Sequence, residues 1–223
     1  MIPNTFDLVI FDCDGVLVDS EPLANRVFVQ LLKESGKSVD ETIYLQKFSG
    51  VTLPDRISTT ERELSWTAPE DFLSQFHQRL SVLSEKELQP VDGIHELLKS
   101  LAVPVCVASN GSRDEINLRL HLAKLVPFFG NNIFSGLEVS RPKPAPDVYL
   151  AAAQAFDIPP ARCVVIEDSI PGVMAGVRAG MKVYGHAAST PAQSLREAGA
   201  IPFASMPELQ EILARNYSPA IQE

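Results

Sequence analysis

Long hydrophobic runs are missing from this chain. No apolar stretch approaches the roughly 18 residues of a membrane span, and the first residues show no basic segment followed by the apolar run of a secretory signal. The expectation is a soluble, cytoplasmic protein. Basic residues are also scarce. Lys and Arg total 19 against 28 Asp and Glu, a net charge of −9. That balance argues against nucleic-acid or membrane partners, either of which would need a basic patch. It leaves room for a phosphorylated small molecule, whose charge one metal ion and one lysine can meet locally. Cysteine is sparse as well. Cys13, Cys106 and Cys163 are odd in number, share no zinc-type spacing and lie in or beside apolar runs. They read as buried thiols of a reducing compartment. A catalytic Cys13 would need a nearby histidine, and its flanking aspartates raise a thiol pKa. The Gly-x-Gly-x-x-Gly spacing of a dinucleotide site is absent too, so Gly172, Gly176 and Gly180 are assigned to packing and turns.

What is present is an alternation. Short, continuously apolar runs at 8–11, 103–108, 133–135, 163–166, 182–184 and 202–204 suit strands covered on both faces. Helical patterns separate them at 93–101, 114–125, 146–156, 170–179 and 207–215. Such alternation predicts an α/β fold with a doubly wound, Rossmann-like parallel sheet. The segment 22–89 breaks the pattern. Leu23, Val27, Leu31 and Leu32 recur at helical spacing after Pro22, Gly36 ends that run, and further helices are predicted over 41–48, 54–63 and 69–83. The expected organisation is a core of 1–20 and 87–223 with a small all-α cap of 21–86 inserted after the first strand. Its hinges fall at 16–21 and 87–92. At 223 residues, one domain with an insertion is a natural size.

Four polar groups fall at the predicted C-terminal ends of strands, where open α/β sheets bind ligands. They are Asp12 with Asp14, Ser109-Asn110-Gly111, Lys143, and Glu167-Asp168. In a parallel sheet these ends share one edge, so the groups converge although they span most of the sequence. Asp12 and Asp14 repel one another without a cation, and Gly15 lets the chain turn sharply past them. Several acidic oxygens, one ammonium and one hydroxyl around a point suit Mg2+ and a phosphate. A calcium loop would want Asp or Asn where Val16 stands. His77, His95 and His121 sit in helical patterns and are assigned to the surface; His186 follows a strand end. Trp66 is expected to pack inside the insertion.

In these motifs the chain resembles the haloacid dehalogenase superfamily, and within it the β-phosphoglucomutase-like sugar-phosphate phosphatases. The resemblance rests on Asp12-Cys13-Asp14-Gly15-Val16-Leu17-Val18-Asp19-Ser20-Glu21, Ser109-Asn110-Gly111, Pro142-Lys143-Pro144-Ala145-Pro146-Asp147 and Ile166-Glu167-Asp168-Ser169, in that order along the whole chain. It implies that Asp12 is the nucleophile and Asp14 the proton carrier. Asp12, Asp14, Glu167 and Asp168 would hold Mg2+, while Ser109, Asn110 and Lys143 would hold the phosphoryl group. It also implies a cap that reads the leaving group, with Gly50, Val51 and Thr52 as a specificity loop and Glu21 facing substrate. Mutases of this type carry an arginine after the Gly-Val-Ser/Thr stretch and a histidine early in the first cap helix. Leu53 and Ala24 stand there instead, with Arg56 one turn on. The implied activity is therefore hydrolysis of sugar or sugar-acid phosphates such as hexose phosphates or 6-phosphogluconate; a monomer is expected because no long exposed apolar stripe suggests a large interface. A phosphohexomutase is the alternative, and a phospho-aspartate signalling receiver is the non-enzyme alternative.

Overall fold

The computed structural model describes residues 6–48, 51 and 53–216. Strand β1 (Leu8–Phe11) is apolar and buried along its whole length. The chain then runs through α1 (Glu21–Glu34), α2 (Glu41–Lys47), α3 (Leu53–Leu64) and α4 (Phe72–Glu87). It continues as α5 (Ile94–Ser100), β2 (Val105–Ser109), α6 (Arg113–Leu122), α7 (Val126–Phe129), β3 (Ile133–Ser135) and α8 (Asp147–Ala155). The remainder is β4 (Cys163–Glu167), α9 (Ile170–Arg178), β5 (Lys182–His186), α10 (Ala192–Glu197), β6 (Ile201–Phe203) and α11 (Met206–Asn216). Two compact units result, one from the residues up to Asp19 and from Pro90 onward, the other from Ser20–Gln89. Among the described residues no helix is long and apolar enough to cross a membrane.

In the first unit six parallel strands run in the order β3-β2-β1-β4-β5-β6. Val9 is in register with Val105 on one side and Val164 on the other. The winding direction reverses between β1 and β4, and the crevice at such a reversal is where doubly wound sheets bind ligands. The segments leaving β1, β2 and β4 therefore border it. Beneath, Leu8, Ile10, Cys106 and Val165 pack with Val148, Tyr149 and Ala152 of α8 and Val173 and Ala175 of α9. Each buried Val, Leu or Ile among them contributes about 1.5–3 kcal/mol by leaving water. All three cysteines are buried free thiols.

The second unit has its own core. Leu23, Val27, Phe28, Leu31 and Leu32 are the buried face of α1, the i, i+4 stripe visible in the sequence. Phe28 meets Phe72 edge-on at 5.3 Å, and Trp66 meets Phe72 at the same separation.

Several boundaries differ from expectation for local reasons. The helix predicted over 114–125 ends at Leu122, because Lys124 turns the chain at φ 58° and α7 starts anew over Pro127. The buried Leu125 that prolonged the apparent period belongs to that turn. A six-residue α10 with only Leu195 buried carries too little periodicity to be foreseen. Strand β2 begins two residues later than predicted, while β4 and β5 continue to Glu167 and His186. Their backbones keep pairing beyond the apolar run, with Glu167 opposite Gly185 and His186 opposite Phe203.

Candidate active site

The turn after β1 is fixed by its own backbone. Asp12 N donates to Ile166 O at 2.9 Å, Gly15 N to Val18 O at 2.8 Å, and Leu17 and Val18 N both reach Cys13 O. Gly15 has φ 74°, and a Cβ there would stand 1.9 Å from Asp168 Oδ2. Only glycine lets the carboxylate of Asp168 close on this turn. From the end of β5, His186 Nδ1 lies 2.9 Å from Gly15 O. A carbonyl can only accept, so Nδ1 carries the proton. The imidazole is backed by the stacked ring of Phe203 at 5.1 Å.

Lys143 is the centre of the buried polar network. Its ammonium donates to Asp12 Oδ1 at 2.5 Å, Glu167 Oε1 at 2.8 Å and Ala108 O at 2.8 Å. All three of its donors are used. Tyr149 OH donates to Glu167 Oε1 at 3.0 Å. Glu167 Oε2 accepts from Asp168 N, Ser169 N and Ser169 Oγ, each at 2.9 Å. A Cβ at Gly172 would lie 1.6 Å from Glu167 Oε1, so this buried carboxylate needs the gap that glycine leaves. Glu167, expected as a metal ligand, accepts hydrogen bonds from protein donors at both oxygens and anchors Lys143. Ser169 is the N-cap of α9, accepting from Gly172 N at 3.2 Å.

Asn110 is tied to the loop that carries Lys143. Its Oδ1 accepts from Lys143 N at 2.9 Å and its Nδ2 donates to Lys143 O at 3.2 Å. The amide is thus a strut for the lysine loop, with one Nδ2 hydrogen left over. Ser109 is buried and its Oγ accepts from Gly111 N at 3.2 Å. Ser135 Oγ braces the same loop by donating to Gly111 O at 2.6 Å. Farther along, a capping box between Ser112 and Glu115 starts α6, a pairing worth about 1 kcal/mol. From the last turn of that helix Arg119 places Nε 3.2 Å from Asp14 Oδ1.

The electrostatics follow from burial and from who shares Lys143. Burial pushes the Asp12 carboxyl up to about 7, and the nearby Glu167 charge adds to this against the pull of Lys143. Burial would raise Glu167 too, but Lys143 and the Ser169 donors outweigh it and hold that carboxyl below its ordinary value. Burial would lower Lys143, yet Asp12 and Glu167 hold its ammonium well above the usual lysine range. Asp12 and Glu167 share Lys143, Asp14 lies beside Arg119 and Asp168 closes on the Gly15 turn, so carboxyl groups outnumber cations here. A divalent cation suits that imbalance. Among the described residues no three or more His, Cys, Asp or Glu side chains gather into a complete metal cage. Mg2+ does not need one, since it takes one or two carboxylates and keeps several waters. Asp12 and Asp168 supply hard oxygens of the right kind, and so does the Asp14 carbonyl.

The remaining expected residues lie in the helical unit. Glu21 is the first residue of α1. Val51 is exposed, whereas Gly50 and Thr52 lie outside the described residues. Arg56 is buried at 6% exposure against the rings of Phe28, Tyr44 and Phe48. Tyr149, Ser135, Ser169, Arg119 and His186 are the residues that sequence reasoning missed or left aside. Ser169 ahead of Pro171 carried a cap signal, and a tyrosine on the apolar face of a helix needs a partner for its hydroxyl. Ser135 and Arg119 meet their partners through the fold alone.

The family model for haloacid dehalogenase-like hydrolases matches residues 6–180. The 6-phosphogluconate phosphatase of Escherichia coli (strain K12) is 31% identical over 182 residues, 81% of this chain and 82% of that protein. A phosphorylated carbohydrates phosphatase of Thermotoga maritima is 30% identical over 216 residues, 93% of this chain and 98% of its own. A solved haloacid dehalogenase-like protein of unknown function from Agrobacterium tumefaciens matches with TM-score 0.86 at 34% identity, covering 94% and 98% of the two chains. A HAD family hydrolase from Deinococcus radiodurans, solved with phosphate and sodium, matches with TM-score 0.82 at 34% identity, covering 97% and 100%.

Proposed function

Since the chain belongs to the haloacid dehalogenase-like hydrolase family, we propose that it is a Mg2+-dependent phosphatase of small phosphorylated metabolites, in particular sugar and sugar-acid phosphates. The observation that carries this reading is the buried Asp12–Lys143–Glu167 network beside Ser109 at the point where the sheet reverses. Asp12 attacks phosphorus, forming an aspartyl-phosphate, while the P–O bond to the alcohol breaks. Its electron pair goes to the leaving oxygen, which takes a proton from Asp14. In the second half Asp14 removes a proton from water, which attacks phosphorus and releases phosphate from Asp12. Lys143 offsets charge on Asp12 and the phosphoryl oxygens, and Ser109 donates its hydroxyl proton to one of them. Bound by Asp12, Asp168 and the Asp14 carbonyl, Mg2+ would neutralise phosphate charge. Glu167 and Asn110 hold Lys143 in place.

In this reading 1–20 and 87–223 form the catalytic core of a cytoplasmic monomer, and 21–86 form the cap, with Glu21, Gly50, Val51 and Thr52 selecting the leaving group. A phosphohexomutase is less well supported. Arg56, the cap cation nearest the position where mutases carry arginine, is packed inside the helical unit. Phosphate release from a panel of sugar and sugar-acid phosphates with Mg2+ tests the proposal, with Asp12→Asn as the blank. We expect turnover by the wild type and a loss of at least about 10³-fold in the variant, as removal of a nucleophile produces. No release from any member of the panel would sink the phosphatase reading. Conversion of β-glucose 1-phosphate to glucose 6-phosphate without release would put the mutase in its place. A lasting aspartyl-phosphate without turnover would favour a signalling receiver.

A further inference from the structure

The polar groups of the site divide into those whose position is fully determined and one whose position is not. Asp12 is held by Lys143 and Asp168 closes on the Gly15 turn. The backbone that carries Asp14 is fixed at Gly15 by His186 and by the Gly15-to-Val18 hydrogen bond. The side chain of Asp14 has no such network. Its Oδ1 is buried yet makes no hydrogen bond among the described residues, and the charged group beside it is Arg119 at 3.2 Å. The pair is close but not aligned as a hydrogen bond.

Arg119 is itself unusual for a surface-helix cation. Its side chain is only 18% exposed, and Nη1 is buried with no hydrogen-bond partner among the described residues. A Cβ at Gly111 would lie 3.2 Å from Nη1 and 3.7 Å from Ser109 Oγ. One end of the guanidinium thus faces Asp14 and the other faces the Ser109–Gly111 turn. A buried donor left unpaired costs about 1–3 kcal/mol, so a structural ion pair alone is an uneconomical reason for it. Catalytic hydrogen bonds are often long or misaligned without substrate and tighten when it binds.

We infer that Arg119 is the positioning residue for Asp14, aiming its carboxyl at the leaving oxygen and stabilising the carboxylate formed when the proton is handed over. The inference rests on the phosphatase reading, in which Asp14 carries that proton. The P–O bond breaks, its electron pair goes to the leaving oxygen with the proton from Asp14, and the new carboxylate faces the guanidinium. A strongly basic alkoxide leaving group depends on this transfer, whereas a stabilised phenolate barely does.

The test is the dependence of kcat/KM on leaving-group basicity, which reports steps up to departure of the leaving group. p-Nitrophenyl phosphate, phenyl phosphate and β-glycerophosphate form the series, measured with Mg2+ for the wild type, Arg119→Met, Arg119→Gln and Arg119→Lys. In Arg119→Met and Arg119→Gln, kcat/KM should drop about 10–100-fold on β-glycerophosphate, part of the ~10²–10⁴ that proton transfer supplies. The drop on p-nitrophenyl phosphate should stay within about threefold, since little proton transfer is needed there. Arg119→Lys, which retains a cation, should recover most of the difference. Equal losses along the whole series, or no loss anywhere, would overturn the inference. The two neutral variants differ in polarity, so a folding defect in one leaves the other to decide. A wild type inactive on every member would remove the phosphatase reading, and this inference with it.

Discussion

Each of the two units buries a cation, and the two are held in opposite ways. Lys143 in the α/β unit spends its donors on Asp12, Glu167 and the Ala108 carbonyl. Arg56 in the helical unit rests on aromatic faces, with its guanidinium carbon 4.1 Å from the Phe28 ring centroid. Its Nη1 reaches Asn25 Oδ1 at 2.5 Å, but Nε and Nη2 have no acceptor among the described residues. Burial accordingly pulls the Arg56 guanidinium below its ordinary pKa, while the carboxylates around Lys143 raise that ammonium. A buried charge with matched partners is rigid and expensive to disturb. One held by quadrupoles and a single amide is close to neutral in its effect on stability.

The sharpest way to break the comparison is to remove each cation in turn. Lys143→Met leaves Glu167 and Asp12 facing one another without a positive charge. We expect it to abolish activity and lower stability by about 3–5 kcal/mol, read from urea midpoints. Between the extremes lies Asp12, whose raised pKa has a definite sign. In metal-free buffer the folded protein keeps a proton on Asp12 that the unfolded chain releases. The Asp12 contribution to stability therefore declines as pH rises from about 4 to 7, toward the folded pKa near 7. Asp12→Asn leaves one ammonium facing one carboxylate. Its stability should match the wild type at pH 4 and exceed it by about 1–3 kcal/mol at pH 8. A variant less stable than the wild type at both pH values would show that Lys143 needs both acids. The smallest effect is expected for Arg56→Met. An apolar side chain of similar reach replaces a poorly compensated charge, so stability should be unchanged or higher by up to about 1 kcal/mol. A loss as large as that of Lys143→Met would erase the distinction between the two cations.

Much of the fold was legible because a parallel sheet covered on both faces demands continuous apolar runs, and 8–11 and 163–166 are such runs. The helical insertion showed through the Leu23, Val27, Leu31 repeat for the same reason. Where these patterns failed, the missing information was not hydrophobic. Lys124 turned a helix by its backbone angle, and the ends of β4 and β5 were carried by strand pairing alone. The site followed the same division. Asp12, Asp14, Lys143, Glu167 and Asp168 could be named because each stands at the end of a strand or in the segment that follows one. Their partners could not be assigned: Asn110 and Glu167 both support Lys143, a pairing that no spacing in the sequence announces.

The sequence by itself determined the parallel sheet, the helical insertion and the set of groups brought to one edge. Strand periodicity and position at strand ends are local properties that a linear chain displays. Only the tertiary structure decided how those groups are paired. Lys143 could have met any acid at the edge, and the gap at Gly172 beside the donors of Ser169 places Glu167 beneath it. Arg119 meets Asp14 because α6 is set down beside the turn after β1. Hydrogen-bond partners are chosen by distances of a few ångströms between residues far apart in the chain, and no sequence spacing encodes those.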